Sequence, residues 1–226
     1  MRPTSSIPIL DDLEKLSETG EVQAAAQAMF LNHADALRTP AVHLVYTVPV
    51  RLVFSGAAPE LGKHYDGEPQ VLPMVKLRER ATGEPLLKGH QALRTVLERR
   101  LDVAEVFGDD TRLIDRLVAS SGGYIRDLLR LVQYSLQIAT QHDAKLPVRE
   151  EHVANAIAKL RRSYVKAYST AYQPLMKHIE EHRPEVVPEE LSAHLADVLA
   201  GHMVMVYGND VDWYDIHPLL HDLVRT

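Results

Sequence analysis

Residues Trp213–Val224 (WYDIHPLLHDLV) give the clearest structural signal in this sequence, and the segment before them completes it. Met203–Tyr207 (MVMVY) has the apolar, β-branched composition of a strand, and Gly208–Asp210 (GND) contains residues that tolerate a positive φ. Val211–Ile216 predicts the returning strand, so the three segments predict a β-hairpin. A helix is predicted next, because proline suits a first turn and leucines follow at helical spacing. His217 is therefore expected at a strand-to-helix junction.

The middle of the sequence has the apolar periodicity of helices. Leucine, isoleucine and valine recur at spacings of three and four residues, which places them on one helix face. The four segments with this pattern are Gln91–Leu101, Thr111–Ala119, Tyr124–Gln141 and Arg149–Arg162. Two more helices are predicted over Lys166–Glu181 and Glu189–Ala200, with two prolines separating them. The sequence thus predicts a four-helix bundle that leads through further helices to the hairpin.

The first part of the sequence predicts an alternation of strand and helix. Ile7–Leu10 is a short apolar run that ends in two aspartates, and Glu21–Arg38 is rich in helix-forming residues. Val42–Val48 (VHLVYTV) is apolar at both alternating positions, which is typical of a strand buried on both faces of a parallel sheet. Gly56–Gly67 has the composition of a loop, and Val71–Leu77 predicts an edge strand because it contains a proline.

These elements predict a mainly α fold with a small α/β part. We expect three segments: residues 1–90 as a partial α/β core, residues 91–165 as a helical bundle, and residues 166–226 as the domain that contains the hairpin. No internal repeat or low-complexity tract interrupts them.

Composition limits the class of protein. The chain has 226 residues, no cysteine and 46% hydrophobic residues, so it can bury a core but cannot form disulfides or thiolate metal sites. No apolar run approaches the roughly 20 residues that cross a bilayer, and no signal-peptide pattern is present, so we expect a cytoplasmic protein without a membrane segment. The net charge is −6, and residues 166–226 hold ten acidic against four basic residues. Nucleic acid is therefore a less favoured partner.

The order of these elements resembles the second half of an AAA+ or STAND nucleotide-switch ATPase, over nearly the whole chain. The bundle is similar to the helical lid of that class, the hairpin region to a winged helix, and the first strands to a remnant of its parallel sheet. Ile7–Asp12 (IPILDD) resembles a Walker B strand. The resemblance implies that Asp11 holds Mg²⁺ and that Asp12 orients or deprotonates the attacking water. ATP or ADP with Mg²⁺ are the cofactors it implies.

Two further motifs support the resemblance. Val42–Thr47, with Arg51 just beyond it, is similar to a sensor 1 strand, which implies that Thr47 and Arg51 face the nucleotide. Ser121–Leu129 (SGGYIRDLL) resembles the sensor 2 helix of origin-recognition-type ATPases, in which an arginine projects from the lid onto the nucleotide. The matching residue is Arg126.

The end of the chain resembles the Met-His-Asp motif region of STAND switches. Tyr214–Leu223 (YDIHPLLHDL) carries this likeness, which implies that His217 contacts the β-phosphate of bound ADP. Pro218 stands where the family has aspartate. The hydrogen bond that orients the histidine must then come from another residue, with Asp215 as the candidate, or be absent.

The sequence departs from the family because it contains no strand–GxxxxGK[ST]–helix, the loop that cradles the phosphates. The nearest approach, Gly56–His64 (GAAPELGKH), has one spacer too many, a proline, and His64 in place of a Mg²⁺-binding hydroxyl. We therefore expect no ATP hydrolysis by the chain alone. It is a fragment, a partner of a separate chain that carries the loop, or a protein that has lost hydrolysis, and a protein partner or self-association is expected.

The function that these patterns favour is a nucleotide-dependent regulatory switch module. The alternatives are a winged-helix nucleic-acid-binding module and a protein-interaction module built on a degenerate ATPase. Each motif also has a simpler interpretation. The acidic pair fits the first turn of a helix, Arg126 fits a surface arginine, and His217 fits a buried histidine bonded to the backbone.

Overall fold

A computed structural model of the chain describes residues 8–10, 20–65, 67–141, 146–208 and 211–225. It is mainly helical with a small sheet part, which confirms the predicted class. The chain forms two compact units: the first contains residues up to Leu72 together with Ser192–Ala200, and the second contains Pro73–Leu191 and the residues from Gly201 onward. These units divide the chain differently from the three predicted segments, because the bundle and the hairpin belong to one unit. No helix in the described part of the chain is long and apolar enough to cross a membrane.

The first unit begins with the predicted strand, helix and strand. Strand β1 (Ile9–Leu10) pairs in parallel with β2 (Val45–Tyr46), in the register Ile9↔Val45 and Leu10↔Tyr46. The connection contains α1 (Gly20–Gln27), a π-helical turn (Ala28–Asn32) and α2 (Ala34–Arg38). The expectation that the second strand is buried on both faces is wrong, since Val45 is 48% exposed. Within the described ranges β2 pairs with β1 alone, and its Tyr46 packs against the core of this unit while Val45 is exposed.

Short helices close the core of the first unit. They are α3 (Val50–Val53), α4 (Ala58–His64) and, from later in the chain, α11 (Leu195–Ala200). The core contains Phe30, Leu31, Leu52 and Leu61. The prediction of a loop over Gly56–Gly67 is wrong because Pro59 lies in the first turn of α4, where a proline is tolerated, and Leu61 is buried.

The second unit contains the predicted helices. They are α5 (Leu87–Glu98), α6 (Val103–Phe107), α7 (Thr111–Ser120), α8 (Ile125–Gln141) and α9 (Glu150–Ala167). Helix α8 packs along α9, and leucines at helical spacing on both, such as Leu128, Leu131 and Leu160, are fully buried. The short α6 was not predicted, although it has a sequence signal: the Asp102 side chain accepts the Glu105 backbone N–H at 3.0 Å.

The predicted hairpin is confirmed. Strand β3 (Val204–Tyr207) pairs antiparallel with β4 (Trp213–Ile216). The predicted edge strand Val71–Leu77 is wrong as a strand, because the segment has no ladder of its own. It is held by individual hydrogen bonds: the Met74 N–H donates to Val206 O at 2.8 Å, and the Val75 N–H donates to Gly123 O at 3.2 Å.

The remaining helices are shorter than predicted. The helix expected over Lys166–Glu181 is interrupted after α9 by a 3₁₀ turn (Thr170–Tyr172) and resumes as α10 (Gln173–His182). A serine cap and a proline separate the two helices, since the Ser169 side chain accepts the Ala171 N–H and Pro174 opens α10. A 3₁₀ helix (Glu189–His194) precedes α11, and the chain ends in a 3₁₀ turn (Pro218–Leu220) followed by α12 (His221–Arg225).

Candidate functional site

The candidate site lies at the start of α8, where a glycine turn fixes the backbone. Gly122 and Gly123 both have positive φ, at 60° and 85°. The Gly122 carbonyl accepts a hydrogen bond from the Tyr207 hydroxyl at 2.6 Å. A Cβ on Gly123 would lie 1.9 Å from Val75 O, so only glycine fits there. These contacts fix the position of the first turn of α8, which contains Arg126 and Asp127.

Asp127 is fully buried and surrounded by donors. Its Oδ2 accepts from the Tyr164 hydroxyl at 2.5 Å, and its Oδ1 accepts from Arg130 at 3.2 Å. Burial alone would raise the pKa of this carboxyl, but the bonds and charges from His217, Tyr164 and Arg130 hold it below its ordinary value. Asp127 is therefore a buried carboxylate that carries its charge at neutral pH.

His217 is the neighbour of this carboxylate. It lies at the predicted strand-to-helix junction with no exposed surface, and its Nδ1 accepts the Leu219 backbone N–H at 3.1 Å. The proton is therefore on Nε2, which lies 3.3 Å from Asp127 Oδ2 without the alignment of a hydrogen bond. The ring also packs on Tyr164, with centroids 4.4 Å apart. Burial lowers the pKa of His217, although Asp127 opposes the shift, so the ring is neutral.

Of the alternatives given for the bond that orients His217, Asp215 is not the partner, because the ring accepts the Leu219 backbone N–H. Asp215 pairs instead with Arg78 at 2.7 Å and Arg183 at 3.5 Å. Burial raises its pKa, and these arginines oppose the shift. The acid that faces His217 is Asp127, which is next to the predicted Arg126. No local spacing links Asp127 to the histidine, because they meet only when α8 packs against the hairpin junction.

A groove of about 280 Å³ opens beside the cluster formed by Asp127, Tyr164 and His217. It is lined by Tyr124, Arg126, Arg130, Ser163, Tyr164, Ala167, Gly201 and His202. Arg126 is exposed, lies over the Tyr124 ring with its Cζ 5.9 Å from the centroid, and forms no salt bridge within the described residues. Tyr164 lines the groove and also contacts His217, so it connects the open groove to the buried histidine.

A second charged cluster joins β4 to the C-terminal helix. Ligating atoms of Glu180, Asp215 and His221 lie within 4.8 Å of one another, which is close enough for a metal ion. Arginines already neutralise these groups: Arg78 contacts Asp215 and donates to His221 Nε2 at 3.0 Å, and Arg225 donates to Glu180. We interpret this cluster as a structural ion-pair network, because guanidinium groups occupy the positions a cation would take.

The other predicted site residues belong to the first unit. Thr47 donates through its hydroxyl to Leu10 O at 3.4 Å, at the end of β1. Arg51 forms an ion pair with Asp197 of α11. Asp11 and Asp12 lie outside the described residues. A cavity of about 530 Å³ in this unit is lined by both apolar and polar residues, and none of the predicted site residues in the described ranges lines it.

The buried histidine makes stability depend on pH. The pKa of His217 in the folded chain lies below 6.5. Above pH 6.5 the ring is therefore neutral in both the folded and the unfolded chain, and it causes no loss of folding stability. Below pH 6.5 the His217 ring binds a proton in the unfolded chain but not in the folded chain, so the free energy of unfolding falls. We expect the free energy of unfolding of the wild type to fall more steeply between pH 7 and pH 5 than that of His217→Gln, by up to about 1.4 kcal/mol per pH unit. Urea unfolding at several pH values measures both slopes, and equal slopes would contradict the assignment.

The structure thus brings together two predicted residues, Arg126 at the groove and His217 one layer below it, and it adds Asp127 and Tyr164 between them. The sequence signal that could have indicated Asp127 was its place beside Arg126 at the start of a helix. Tyr164 had no signal beyond helical periodicity. No family model matches this chain, and comparison with curated proteins and with solved structures likewise gives no match.

Proposed function

We propose that the chain is a nucleotide-dependent regulatory switch module of the AAA+/STAND type. One observation carries the proposal: the cluster of Tyr164, Asp127 and His217 connects the groove at Arg126 to the junction between the hairpin and the C-terminal helix. Tyr164 lines the groove, where a bound group can contact it, and its ring also packs on His217. Occupancy of the groove can therefore alter the packing of His217.

Arg126 is the residue that favours a phosphate in the groove. An arginine without an acidic partner attracts anions, and its planar donors match the oxygens of a phosphate. Arg130 adds a second guanidinium, although it shares its charge with Asp127. A ligand shifts a conformational equilibrium only through different affinities for the two states. In this module the difference would come from the groove being complete in one arrangement of Tyr164 and His217 and distorted in the other.

The first unit supports the same assignment. Its two strands are parallel and joined through helices, the order expected for a Walker B strand followed by a sensor 1 strand. The Thr47 hydroxyl donates to the carbonyl of Leu10, the last residue of β1, and Asp11 is the next residue in the sequence. Within the proposal, Asp11 holds Mg²⁺ and Asp12 orients the attacking water. Residues 91–165 form the lid, and residues 166–226 form a winged-helix domain. The protein is cytoplasmic. Mg²⁺ would be held by carboxylates and phosphate oxygens together.

A protein partner is part of the proposal. Parallel strands are normally covered on both faces, yet Ile9 of β1 and Val45 of β2 are 66% and 48% exposed, and Val42, which precedes β2, is 60% exposed. We propose that another polypeptide, carrying the missing phosphate loop, or a second copy of the chain covers this sheet. Sedimentation of the chain at increasing concentration separates the two cases, because only self-association gives a mass that rises with concentration.

The proposal predicts weak binding of ADP without hydrolysis. The absence of the phosphate loop removes most of the affinity, so we expect a dissociation constant of about 1 mM or weaker, measured by chemical-shift changes in NMR titrations. Arg126→Ala should weaken binding by about tenfold, because a charge-assisted hydrogen bond is lost. Arg99→Ala removes an exposed arginine outside the groove and is the matched control. Micromolar ATP affinity with turnover would overturn the proposal. An ADP dissociation constant that is the same in Arg126→Ala as in the wild type would also overturn it.

A further inference from the structure

His202 has an unusual backbone and an unusual neighbour. It precedes β3 with φ of 53°, in the left-handed region that residues other than glycine rarely adopt. Its imidazole stacks on the Tyr124 ring, with centroids 4.3 Å apart and an interplanar angle of 12°. Both rings line the groove that contains Arg126. The turn thus places an aromatic pair beside the guanidinium.

The backbone of His202 suggests a role beyond that of a turn. A left-handed conformation is disfavoured for residues with a side chain, and glycine or asparagine would adopt it more readily at this position. Backbone strain of this kind concentrates at ligand sites, where the side chain is needed for a contact. What histidine adds here is a second flat ring, stacked on one face of Tyr124, and both rings line the groove.

The chemistry of the groove matches a ligand with two different ends. His202 stacks on Tyr124, and the Arg126 guanidinium lies over the Tyr124 ring with Arg130 also in the lining, so aromatic rings and cations line the same groove. Purine bases bind on aromatic platforms through stacking, while phosphates bind arginine. An acidic peptide would satisfy the guanidinium but would leave the aromatic surface unused. Free phosphate would do the same.

We infer that Tyr124 and His202 form the base-binding platform of this groove, with a purine stacked on the pair and the attached phosphates on Arg126. The ligand class is a purine nucleoside phosphate. The inference rests on the proposed function, because it assigns the base end of the same ligand site. It also makes His202 a specificity-determining residue that distinguishes a nucleotide from inorganic pyrophosphate.

The experiment compares ADP with inorganic pyrophosphate on the full chain and on His202→Asn. Asparagine tolerates a positive φ, so the turn is kept while the ring is removed. The matched control is His178→Asn, since His178 belongs to another stacked pair, with His182 at 4.6 Å, that does not line the groove. Affinities come from chemical-shift titrations, and saturation-transfer NMR identifies which ligand protons touch the protein. Thermal unfolding of each variant establishes that it is folded.

We expect the wild type and His178→Asn to bind ADP about tenfold more tightly than pyrophosphate, with strong transfer to the base protons. His202→Asn should lose that preference and the base transfer while its pyrophosphate affinity stays unchanged. Transfer confined to ribose protons in the wild type, or a preference for ADP that survives in His202→Asn, would overturn the inference. If both ligands bind through Arg126 without any base preference, the inference fails and the proposed function stands. If neither ligand responds to Arg126→Ala, both fail.

Discussion

Replacing Asp127 by alanine is expected to lower the free energy of unfolding by about 3–5 kcal/mol. The carboxylate has no exposed surface, and it accepts from Tyr164 at 2.5 Å and from Arg130 at 3.2 Å. Its removal leaves the Tyr164 hydroxyl buried without its acceptor, which costs free energy, and it takes away the negative charge that lies 3.3 Å from Nε2 of His217. Urea unfolding followed by circular dichroism measures the loss.

A matched control is the exposed aspartate of α7. Asp115 also binds an arginine, Arg94 at 2.7 Å, but its side chain is 54% exposed. Exposed ion pairs contribute little, so Asp115→Ala should cost less than about 1 kcal/mol. If Asp127→Ala were as mild as the control, Asp127 would not be the anchor of the buried cluster, and the link between the groove and His217 would lose its support.

Replacing Gly123 by alanine is expected to cost about 2–5 kcal/mol of folding free energy. The new Cβ would lie 1.9 Å from Val75 O and 2.9 Å from Val75 C, and backbone atoms cannot move aside as a flexible side chain can. The φ of 85° adds strain for any residue with a side chain. Because this turn positions Arg126 and Asp127, the variant should also lose ADP binding. Unfolding and NMR titration measure the two effects.

Gly83→Ala separates the clash from the backbone strain. Gly83 has a similar φ of 72°, but a Cβ there would meet only the Arg183 guanidinium nitrogens, at 3.8 Å. We expect this variant to lose about 1–2 kcal/mol, which is the cost of the left-handed backbone alone. Equal losses in the two variants would show that contact with Val75 does not determine the need for glycine at position 123.

Local patterns predicted the elements whose stability is local. The helix over Thr111–Ser120 was recognisable because its buried residues recur at helical spacing. The hairpin was recognisable because two apolar segments flank residues typical of a turn. In the second unit the helix predicted over Lys166–Glu181 is interrupted and α6 was not predicted, and the other failures lie in the first unit and at its edge. Val42–Val48 looked like a doubly buried strand, yet burial depends on neighbouring layers that a segment's composition does not specify. The segment Val71–Leu77 is extended but satisfies its donors singly, through the hairpin and the glycine turn.

The candidate site was predictable in part for the same reason. Arg126 and His217 belong to short motifs, so their positions beside a glycine turn and a hairpin could be expected. Tyr164 lies 37 residues from Asp127 in sequence and reaches it only because α8 packs on α9. The stacked pair of Tyr124 and His202 joins the start of α8 to the turn before β3. Contacts of this kind come from tertiary packing, and one sequence contains no spacing that indicates them.

The most direct test of the switch observes the His217 ring during the ADP titration. The ring nitrogens report the environment of the imidazole, and His217→Gln assigns their signals. We expect ADP to change the His217 signals in the wild type with the same dependence on concentration as the groove residues, and Arg126→Ala to move both changes to about tenfold higher ADP concentration. ADP binding that shifts the signals of Arg126 and Tyr124 while the His217 ring stays unchanged would contradict the account.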